Sequence, residues 1–274
     1  MICEKYDFVD WIWDVCLLDT RLAIGTAHNT VVMWDIRSNE PTECYYGKER
    51  CILYSLSFLN LNGELLVASG TVFTEVHIWT ITRPENTIIC KAHEGVIFKL
   101  RWSDDGRYLL SVSDDRKLIV WRHSSSSAPW AELQATSVAM LLQGTYTSLF
   151  HAYGHKARVW DCIFINRHVV TTSEDCTVRF WDEHGTCIAS MGGHKGKHVW
   201  CGAYDANSNL LVTGGNDGSV KIWDVDSILQ TYEASSSYSI TIPSLIDVPK
   251  QPRTSKSECI RDISVTEDGK AVIV

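Results

Sequence analysis

Residues 154–182 read GHKARVWDCIFINRHVVTTSEDCTVRFWD, and residues 193–225 repeat the same layout as GHKGKHVWCGAYDANSNLLVTGGNDGSVKIWDV. Each segment opens on Gly-His and closes on an apolar run that contains Trp-Asp. Between these landmarks, runs of β-branched and aromatic residues alternate with polar turns, a pattern typical of antiparallel sheet strands. A unit of this kind that recurs at a fixed spacing indicates a repeat architecture.

The same layout extends over most of the chain. Five apolar runs end at Trp34, Trp79, Trp121, Trp181 and Trp223, which lie 45, 42, 60 and 42 residues apart. Three of these intervals match the ~40–45-residue period of a β-propeller blade. The longest interval contains a serine-rich stretch, so we expect inserted loops at about 122–150 and, after the fifth repeat, at about 227–257.

A polar set recurs at matching positions of the third, fourth and fifth repeats. It contains a histidine near the start, a serine eight residues before the closing tryptophan and an aspartate six residues before it. The members are His93, Ser113, Asp115 and Trp121, then His155, Ser173, Asp175 and Trp181, then His194, Asp217 and Trp223 with Gly215 in place of the serine. This pattern resembles the WD-repeat family, whose blades carry a buried, hydrogen-bonded set of histidine, serine or threonine, aspartate and tryptophan.

A nucleophilic triad is the alternative interpretation of a serine, a histidine and an aspartate in one repeat. A catalytic triad occurs once, at a unique geometry, whereas this set occurs in three repeats. We therefore assign it a structural role, because a buried aspartate needs hydrogen-bond donors around it. His28 and Phe73 replace the aspartate in the first two repeats, and we expect those blades to depend more on apolar packing.

The predicted fold is an all-β WD-repeat β-propeller with five complete blades, followed by a partial sixth in residues 259–274. No segment shows a convincing helical period. Propellers close with about 4–8 blades, and the family usually has seven. We therefore treat residues 1–274 as a single, incomplete propeller and expect a truncated seven-bladed ring from a longer chain.

The composition excludes several classes of protein. The chain has 274 residues, a formal net charge of −8, a 45% hydrophobic share and 11 tryptophans, which describes a globular chain with a substantial core. Its ten cysteines form no C-x-x-C pair, and no apolar run approaches the ~18 residues of a membrane helix. We therefore expect reduced thiols, no metal, no cofactor and no membrane, in a cytoplasmic protein.

Two groups of residues are candidates for binding a partner or RNA. One position of the first strand is aromatic in every complete repeat, at Trp13, Tyr54, Phe98, Trp160 and Trp200. This aromatic column either presents a stacking or docking surface or forms core between neighbouring blades. The loops before two of these strands carry Lys156, Arg158, Lys195, Lys197 and His198. Such a cluster suits an RNA phosphate or an acidic partner, and solvated loop charge is the alternative.

Three segments go beyond the generic repeat. They are H-E-G-x-I-F from residue 93, G-H-x-A-R-V-W-D-C with S-E-D-C within 154–176, and G-H-K-G-K-x-V-W in 193–200. The combination resembles the large WD-repeat proteins that partner an FtsJ-type tRNA 2'-O-methyltransferase. That resemblance implies a non-catalytic adaptor, which contacts tRNA through the complex. It also implies that the partner enzyme holds S-adenosylmethionine and methylates the ribose of the first anticodon position.

Two other functions stay open on the sequence alone. Trp34-Asp35-Ile36-Arg37 matches the W-D-x-R motif of many substrate receptors of cullin-type ubiquitin ligases, although four residues are weak evidence in a fold that repeats Trp-Asp. A generic trafficking or signalling scaffold also fits the repeats. An enzyme fits poorly, because no carboxylate pair stands out and the cysteines lack metal-ligand spacing.

Overall fold

The computed structural model describes residues 10–48, 51–125, 137–196, 198–234, 246–248, 263–265 and 271–273. The chain divides into two compact units, one centred on Met1–Leu109 and the other on Ser148–Val274, and Leu110–Trp121 belong to the second. Five four-stranded sheets and one two-stranded sheet account for the described strands, and consecutive strands are neighbours in each.

The first two sheets belong to the first unit. The first contains β1 (Ile12–Leu18), β2 (Arg21–Thr26), β3 (Thr30–Asp35) and β4 (Glu40–Tyr46). The second contains β5 (Leu53–Leu61), β6 (Glu64–Thr71), β7 (Glu75–Thr80) and β8 (Ile88–Lys91). All neighbouring strands within these two sheets pair antiparallel.

The third sheet contains β9 (Ile97–Trp102), β10 (Tyr108–Ser113), β11 (Leu118–His123) and β12 (Tyr146–Ala152). The fourth contains β13 (Val159–Ile165), β14 (His168–Ser173), β15 (Thr177–Trp181) and β16 (Cys187–Gly192). The fifth contains β17 (Val199–Asp205), β18 (Leu210–Gly215), β19 (Val220–Asp224) and β20 (Ile246–Val248), and the last two strands are β21 (Ile263–Val265) and β22 (Ala271–Ile273). The prediction of five complete blades and a partial sixth in an all-β fold is confirmed.

Each unit has an apolar core between successive sheets. In the first unit, Met33 of β3 packs in one cluster with Leu53 of β5 and Trp79 of β7. In the second, Phe180 of β15 shares a cluster with Trp223 of β19. The five tryptophans that close the repeats are all buried. Their burial anchors the third strand of each blade in the apolar interior of its unit.

Two helices are present among the described residues, so the expectation that no segment is helical is wrong. They are α1 (Val138–Gln143) and α2 (Val225–Ala234). The apolar residues Val225, Ile228, Leu229 and Tyr232 of α2 follow the i, i+3, i+4, i+7 spacing of an amphipathic helix. Val225 and Ile228 are fully buried in the core of the second unit, and the other two pack against it.

Parts of both predicted insertions have regular structure. The segment at about 122–150 contains α1 and the start of the outer strand β12, and that at about 227–257 contains most of α2 and the outer strand β20. In both cases the outer strand returns to the blade that the chain has just left, because β12 pairs next to β11 and β20 next to β19.

Candidate interaction surface

The fourth blade contains a continuous hydrogen-bonded set. Nδ1 of His155 lies 2.9 Å from Oδ2 of Asp175, and Nε2 of the same ring lies 2.7 Å from Oγ1 of Thr171. The indole N–H of Trp181 donates to that threonine oxygen at 2.8 Å. The structure therefore brings His155, Asp175 and Trp181 together, and Thr171 is the group that joins the histidine to the tryptophan.

The fifth blade repeats this geometry. His194 lies 3.1 Å from Asp217 and 3.0 Å from Thr213, and Trp223 donates to Thr213 at 2.9 Å. In the third blade, Trp121 donates to Ser111 at 2.8 Å, while the Asp115 carboxylate accepts the backbone N–H of Lys117 at 3.0 Å. His93 is buried in the first unit.

The assignment of Ser113 and Ser173 as the hydroxyl members is wrong. The hydroxyl that reaches the tryptophan stands ten residues before it, at Ser111, Thr171 and Thr213. Residues 171 and 173 lie on one face of β14, so spacing alone could not distinguish them. Ser173 lies at the strand end, where its hydroxyl donates to the carbonyl of Arg158 at 2.7 Å and accepts the backbone N–H of Asp175.

The protons of the fourth-blade set can be placed from the donors and acceptors that each group carries. An indole N–H only donates, so Oγ1 of Thr171 accepts from Trp181 and uses its own hydrogen toward Nε2 of His155. Nδ1–H of His155 then donates to Asp175. Burial lowers the pKa of His155, which keeps the imidazole neutral, as this arrangement requires.

The carboxylate of Asp175 is held in its charged form. Burial alone would raise its pKa, but hydrogen bonds from His155, from the Thr177 hydroxyl and from the backbone N–H of Lys156 outweigh burial and lower the pKa. The Thr171 hydroxyl is fully buried and uses both its donor and its acceptor capacity within the set. This arrangement holds the blade together and presents no nucleophile to a substrate.

The second blade keeps a shorter polar chain. Trp79 donates to Ser69 at 3.1 Å, and the Ser69 hydroxyl donates to Oδ1 of Asn29 at 2.8 Å. Asn29 is buried and comes from the turn of the first blade, so it supplies the acceptor that histidine supplies elsewhere. This polar chain lacks the histidine and aspartate of the later blades, which agrees with the expectation that the second blade relies less on the polar network; its greater reliance on apolar packing stays a prediction. Phe73, in the position of the missing aspartate, is 63% exposed.

The aromatic column lies at a recurrent irregularity of the first strand. The register between first and second strands shifts at Trp13, Tyr54, Trp160 and Trp200, each of which is the extra residue opposite its partner strand. A β-bulge of this kind re-aims the side chain of the extra residue. The aromatic side chains therefore do not follow the regular alternation of side chains between the two faces of the sheet. The sequence pattern gives no indication of this departure.

Members of the column contact one another within each unit. The ring centroids of Trp160 and Trp200 are 4.6 Å apart, and those of Trp13 and Tyr54 are 6.4 Å apart. Phe98 follows at 6.2 Å from Tyr54, edge to face. Trp160 and Trp200 are half-buried. Trp13 and Trp200 also pack against core clusters, so the column belongs partly to the core and its role as a docking surface stays a prediction.

The predicted basic cluster contains one residue, Arg158, that lies in ion pairs with acidic side chains. Lys156 and Lys195 are exposed, and Lys197 lies outside the described residues. Nε of Arg158 is 2.6 Å from Asp114 and 3.8 Å from Glu174, and His198 lies 3.7 Å from Glu174. Carboxylates thus compensate part of the charge of Arg158, whereas the role of the cluster in binding stays a prediction.

Three further features bear on the chemistry of the part of the chain that the structure describes, namely metal sites, cysteine thiols and membrane-spanning helices. No group of three or more histidine, cysteine or acidic side chains there can hold a metal ion. The described cysteines are free thiols, and burial raises the pKa of Cys90 to about 12. No helix among the described residues is long and apolar enough to cross a membrane.

Comparison with known families agrees with this geometry. The family model described as "WD domain, G-beta repeat" matches residues 84–122, 146–182 and 185–224. Together with the five blades and the buried histidine, threonine, aspartate and tryptophan sets of the fourth and fifth, this match places the chain in the WD-repeat family, whose members are typically non-catalytic.

Within that family, the chain is similar to particular regulators of tRNA modification. It is 25% identical over 226 residues to the tRNA (34-2'-O)-methyltransferase regulator WDR6 of Rattus norvegicus, in an alignment that covers 80% of this chain and 19% of that protein. The Homo sapiens regulator of the same name is 24% identical over 228 residues, with the same two coverages. The chain therefore spans about a fifth of the length of these relatives.

Solved structures support the fold alone. The crystal structure of the computationally designed Ika8 protein superposes with a TM-score of 0.63 at 19% identity, over 96% of this chain and 70% of that one. At this identity the likeness concerns backbone architecture and says nothing about binding.

Proposed function

We propose that the chain is a non-catalytic scaffold that supports 2'-O-methylation of the tRNA anticodon loop by an FtsJ-type partner enzyme in the cytoplasm. The observation that carries this proposal is the similarity to named tRNA methyltransferase regulators over 80% of the chain. That similarity extends over more of the chain than the three segments matched by the generic repeat model.

The polar chemistry of the blades favours a scaffold over an enzyme. The histidines and aspartates of the fourth and fifth blades are joined in buried structural sets. The sequence contains no glycine-rich nucleotide loop, so the partner supplies the S-adenosylmethionine site. The role left to this chain is to position the enzyme and its tRNA, which requires surfaces rather than a catalytic centre.

The second unit offers a surface for tRNA. Lys156 and Lys195 are exposed on the loops that lead into β13 and β17, and the half-buried Trp160 and Trp200 follow on those strands. Lysines of this kind contact phosphates, while aromatic rings stack on bases. Arg158 and His198 lie beside Glu174 and are better suited to ordering the loops, and Lys197 adds a further cation in sequence.

The proposal is tested in the source organism by disrupting the gene that encodes this chain. Mass spectrometry of purified tRNA then measures 2'-O-methylated ribose at nucleotide 34, the position named in the relatives. Loss of the modification, restored by the wild-type gene, is the expected result. Unchanged modification would contradict the proposed function.

Charge reversal separates the RNA surface from general effects of charge. Lys156→Glu with Lys195→Glu should fail to restore methylation, because two phosphate contacts become repulsive. The matched control is Arg37→Glu with Arg83→Glu, which places the same change on exposed turns between third and fourth strands. If both pairs restore methylation equally, the lysines do not contact the tRNA.

The W-D-x-R match gains no support from its surroundings. The Asp35 carboxylate accepts the backbone N–H groups of Arg37 and Ser38 at 2.7 and 3.0 Å, which shapes the turn after β3. This local role accounts for the aspartate without a ubiquitin-ligase adaptor.

A further inference from the structure

A carboxylate lies beside the aromatic rings of the second unit. Glu174 occupies the turn between β14 and β15, and its backbone N–H donates to the carbonyl of Arg158 at 2.9 Å. Oε1 of Glu174 is 3.7 Å from Nε2 of His198, whose ring centroid is 5.5 Å from that of Trp200. The Trp200 ring in turn contacts Trp160. These four side chains, of Glu174, His198, Trp200 and Trp160, form one continuous surface, which we call the indole–carboxylate surface.

The Glu174 carboxylate keeps its capacity to accept hydrogen bonds. Its side chain is 29% exposed, and it lies 3.8 Å from Nε of Arg158 and 3.7 Å from His198. Both separations are longer than a hydrogen bond, which needs about 3.2 Å or less. Among the described residues, the carboxylate thus has two flanking nitrogen groups and no hydrogen-bond donor. The guanidinium and the imidazole hold it in place, and its oxygens can accept N–H groups from a ligand.

The rings and the lysines around the carboxylate indicate the kind of ligand. Trp160 and Trp200 are half-buried and lie at β-bulges, which re-aim their side chains. Lys156 and Lys195 are exposed on the loops that lead into the same two strands. Lysines of this kind contact a phosphate backbone, and indole faces stack on unpaired bases. The combination therefore suits a nucleic acid strand.

The carboxylate favours a single strand over a duplex. A double helix presents its phosphates outward and uses the Watson–Crick edges of its bases for pairing, so Glu174 would meet mainly repulsive charge. A single strand can turn its bases toward the protein, where a carboxylate accepts N–H donors from a base edge. Guanine fits this acceptor best, because its Watson–Crick edge carries two adjacent N–H donors and a carboxylate has two oxygens to accept them.

We propose that the indole–carboxylate surface binds an unpaired guanine of single-stranded RNA, which stacks on the indoles and donates from its Watson–Crick edge to Glu174. Lys156 and Lys195 contact the flanking phosphates. Arg158 and His198 are positioning residues, because they hold the carboxylate that accepts the base. This inference rests on the proposed function and deepens it, since it names an unpaired loop nucleotide, rather than a stem, as the part of the tRNA that this surface contacts.

The test measures binding of short RNAs to the full chain by fluorescence anisotropy of a labelled strand. The probes are a uridine-rich strand with one central guanosine, the same strand with inosine at the centre, and the guanosine strand annealed to its complement. Inosine lacks only the 2-amino group of guanosine, so it removes one donor and keeps the stacking ring. We expect the guanosine strand to bind about tenfold more tightly than the inosine strand, because one hydrogen bond to a charged group contributes about this factor. The duplex should bind more weakly than the guanosine strand.

Glu174→Gln tests the carboxylate itself. A carboxamide keeps the size of the side chain but turns one donor toward the base, so the preference for guanosine over inosine should disappear. Glu183→Gln is the matched control, because Glu183 lies on the turn between β15 and β16 of the same blade, is 32% exposed and pairs with Arg167. This control should keep the full preference. Circular dichroism of both variants confirms that the fold is retained.

The outcomes separate this inference from the proposed function. If the wild-type chain binds the guanosine and inosine strands equally, or the duplex as tightly as the single strand, the inference is overturned. The same holds if Glu174→Gln keeps the preference for guanosine, or if the wild-type chain binds none of these RNAs. In each of these cases the proposed function is decided on its own by the methylation at nucleotide 34 after gene disruption, because a scaffold can support the enzyme without contacting a guanine.

Discussion

Replacing Thr171 by valine tests whether one hydroxyl holds the polar set of the fourth blade together. Valine keeps the shape of threonine, so the change leaves no cavity and removes only the hydroxyl. The substitution takes away the acceptor of the Trp181 indole N–H, at 2.8 Å, and the partner of Nε2 of His155, at 2.7 Å. Both groups are buried, so neither can turn to water.

The magnitude follows from the two orphaned groups. A buried donor or acceptor left without a partner costs about 1–3 kcal/mol, and two such groups in one coupled set add less than fully, so Thr171→Val should lower the free energy of unfolding by about 2–4 kcal/mol. Asp175→Ala should cost about 1–3 kcal/mol through the donors that surround the carboxylate. Because coupled groups do not add, the double variant should cost less than the sum of the two losses.

The neighbouring residue provides a matched control. Thr172 is equally buried on the same strand, and its hydroxyl has no hydrogen-bond partner among the described residues. Thr172→Val should therefore leave stability unchanged or raise it. Urea-induced unfolding of the full chain near neutral pH, followed by circular dichroism, measures both variants. If Thr171→Val costs no more than Thr172→Val, the threonine is not the centre of the set and the reasoning is refuted.

Three further predictions follow from the same structure. The free energy of unfolding should fall on acidification below about pH 6.5. Burial lowers the pKa of His155 from its ordinary 6.5, so in this range the unfolded chain binds a proton that the folded chain does not. A free energy of unfolding that stays constant from about pH 7 to about pH 5 would contradict this. Gly215→Ala should destabilise by about 1–3 kcal/mol in urea unfolding, because a Cβ there meets the histidine ring of the fifth blade, whereas Gly192→Ala, with nothing within 4 Å, should be neutral. Alkylation of the native chain, read by mass spectrometry, should label exposed Cys44 and spare Cys90, whose pKa burial raises to about 12; modification of Cys90 before unfolding would count against this.

The repeat period and the closing tryptophans are sufficient to predict the blades. Three strands in each blade alternate in polarity and end at turns, so their number and order follow from the order of residues alone. The outer strands do not, because a strand such as β4 is mostly exposed and reads Glu-Pro-Thr-Glu-Cys-Tyr-Tyr without apolar alternation. Its place in the sheet comes from pairing with β3 and not from its own pattern.

The helix α2 escapes prediction for a different reason. Val225, Ile228, Leu229 and Tyr232 carry the helical spacing, but the segment is ten residues long and stands beside a serine-rich stretch that is typical of a loop. Short helices are marginal on local propensity, and this one is stabilised by packing against the core of the second unit.

The polar sets show most clearly which features the sequence determines and which depend on the tertiary structure. Residue types and spacing are enough to predict that His155, Asp175 and Trp181 belong together. They cannot distinguish Thr171 from Ser173, because both hydroxyls lie on one face of a strand and the choice depends on how far the indole reaches across the sheet. Likewise, the bulge at Trp160 arises from the pairing of β13 with β14, and the ion pair of Arg158 joins it to Asp114, which lies far away in the sequence. Such contacts exist only once the chain has folded.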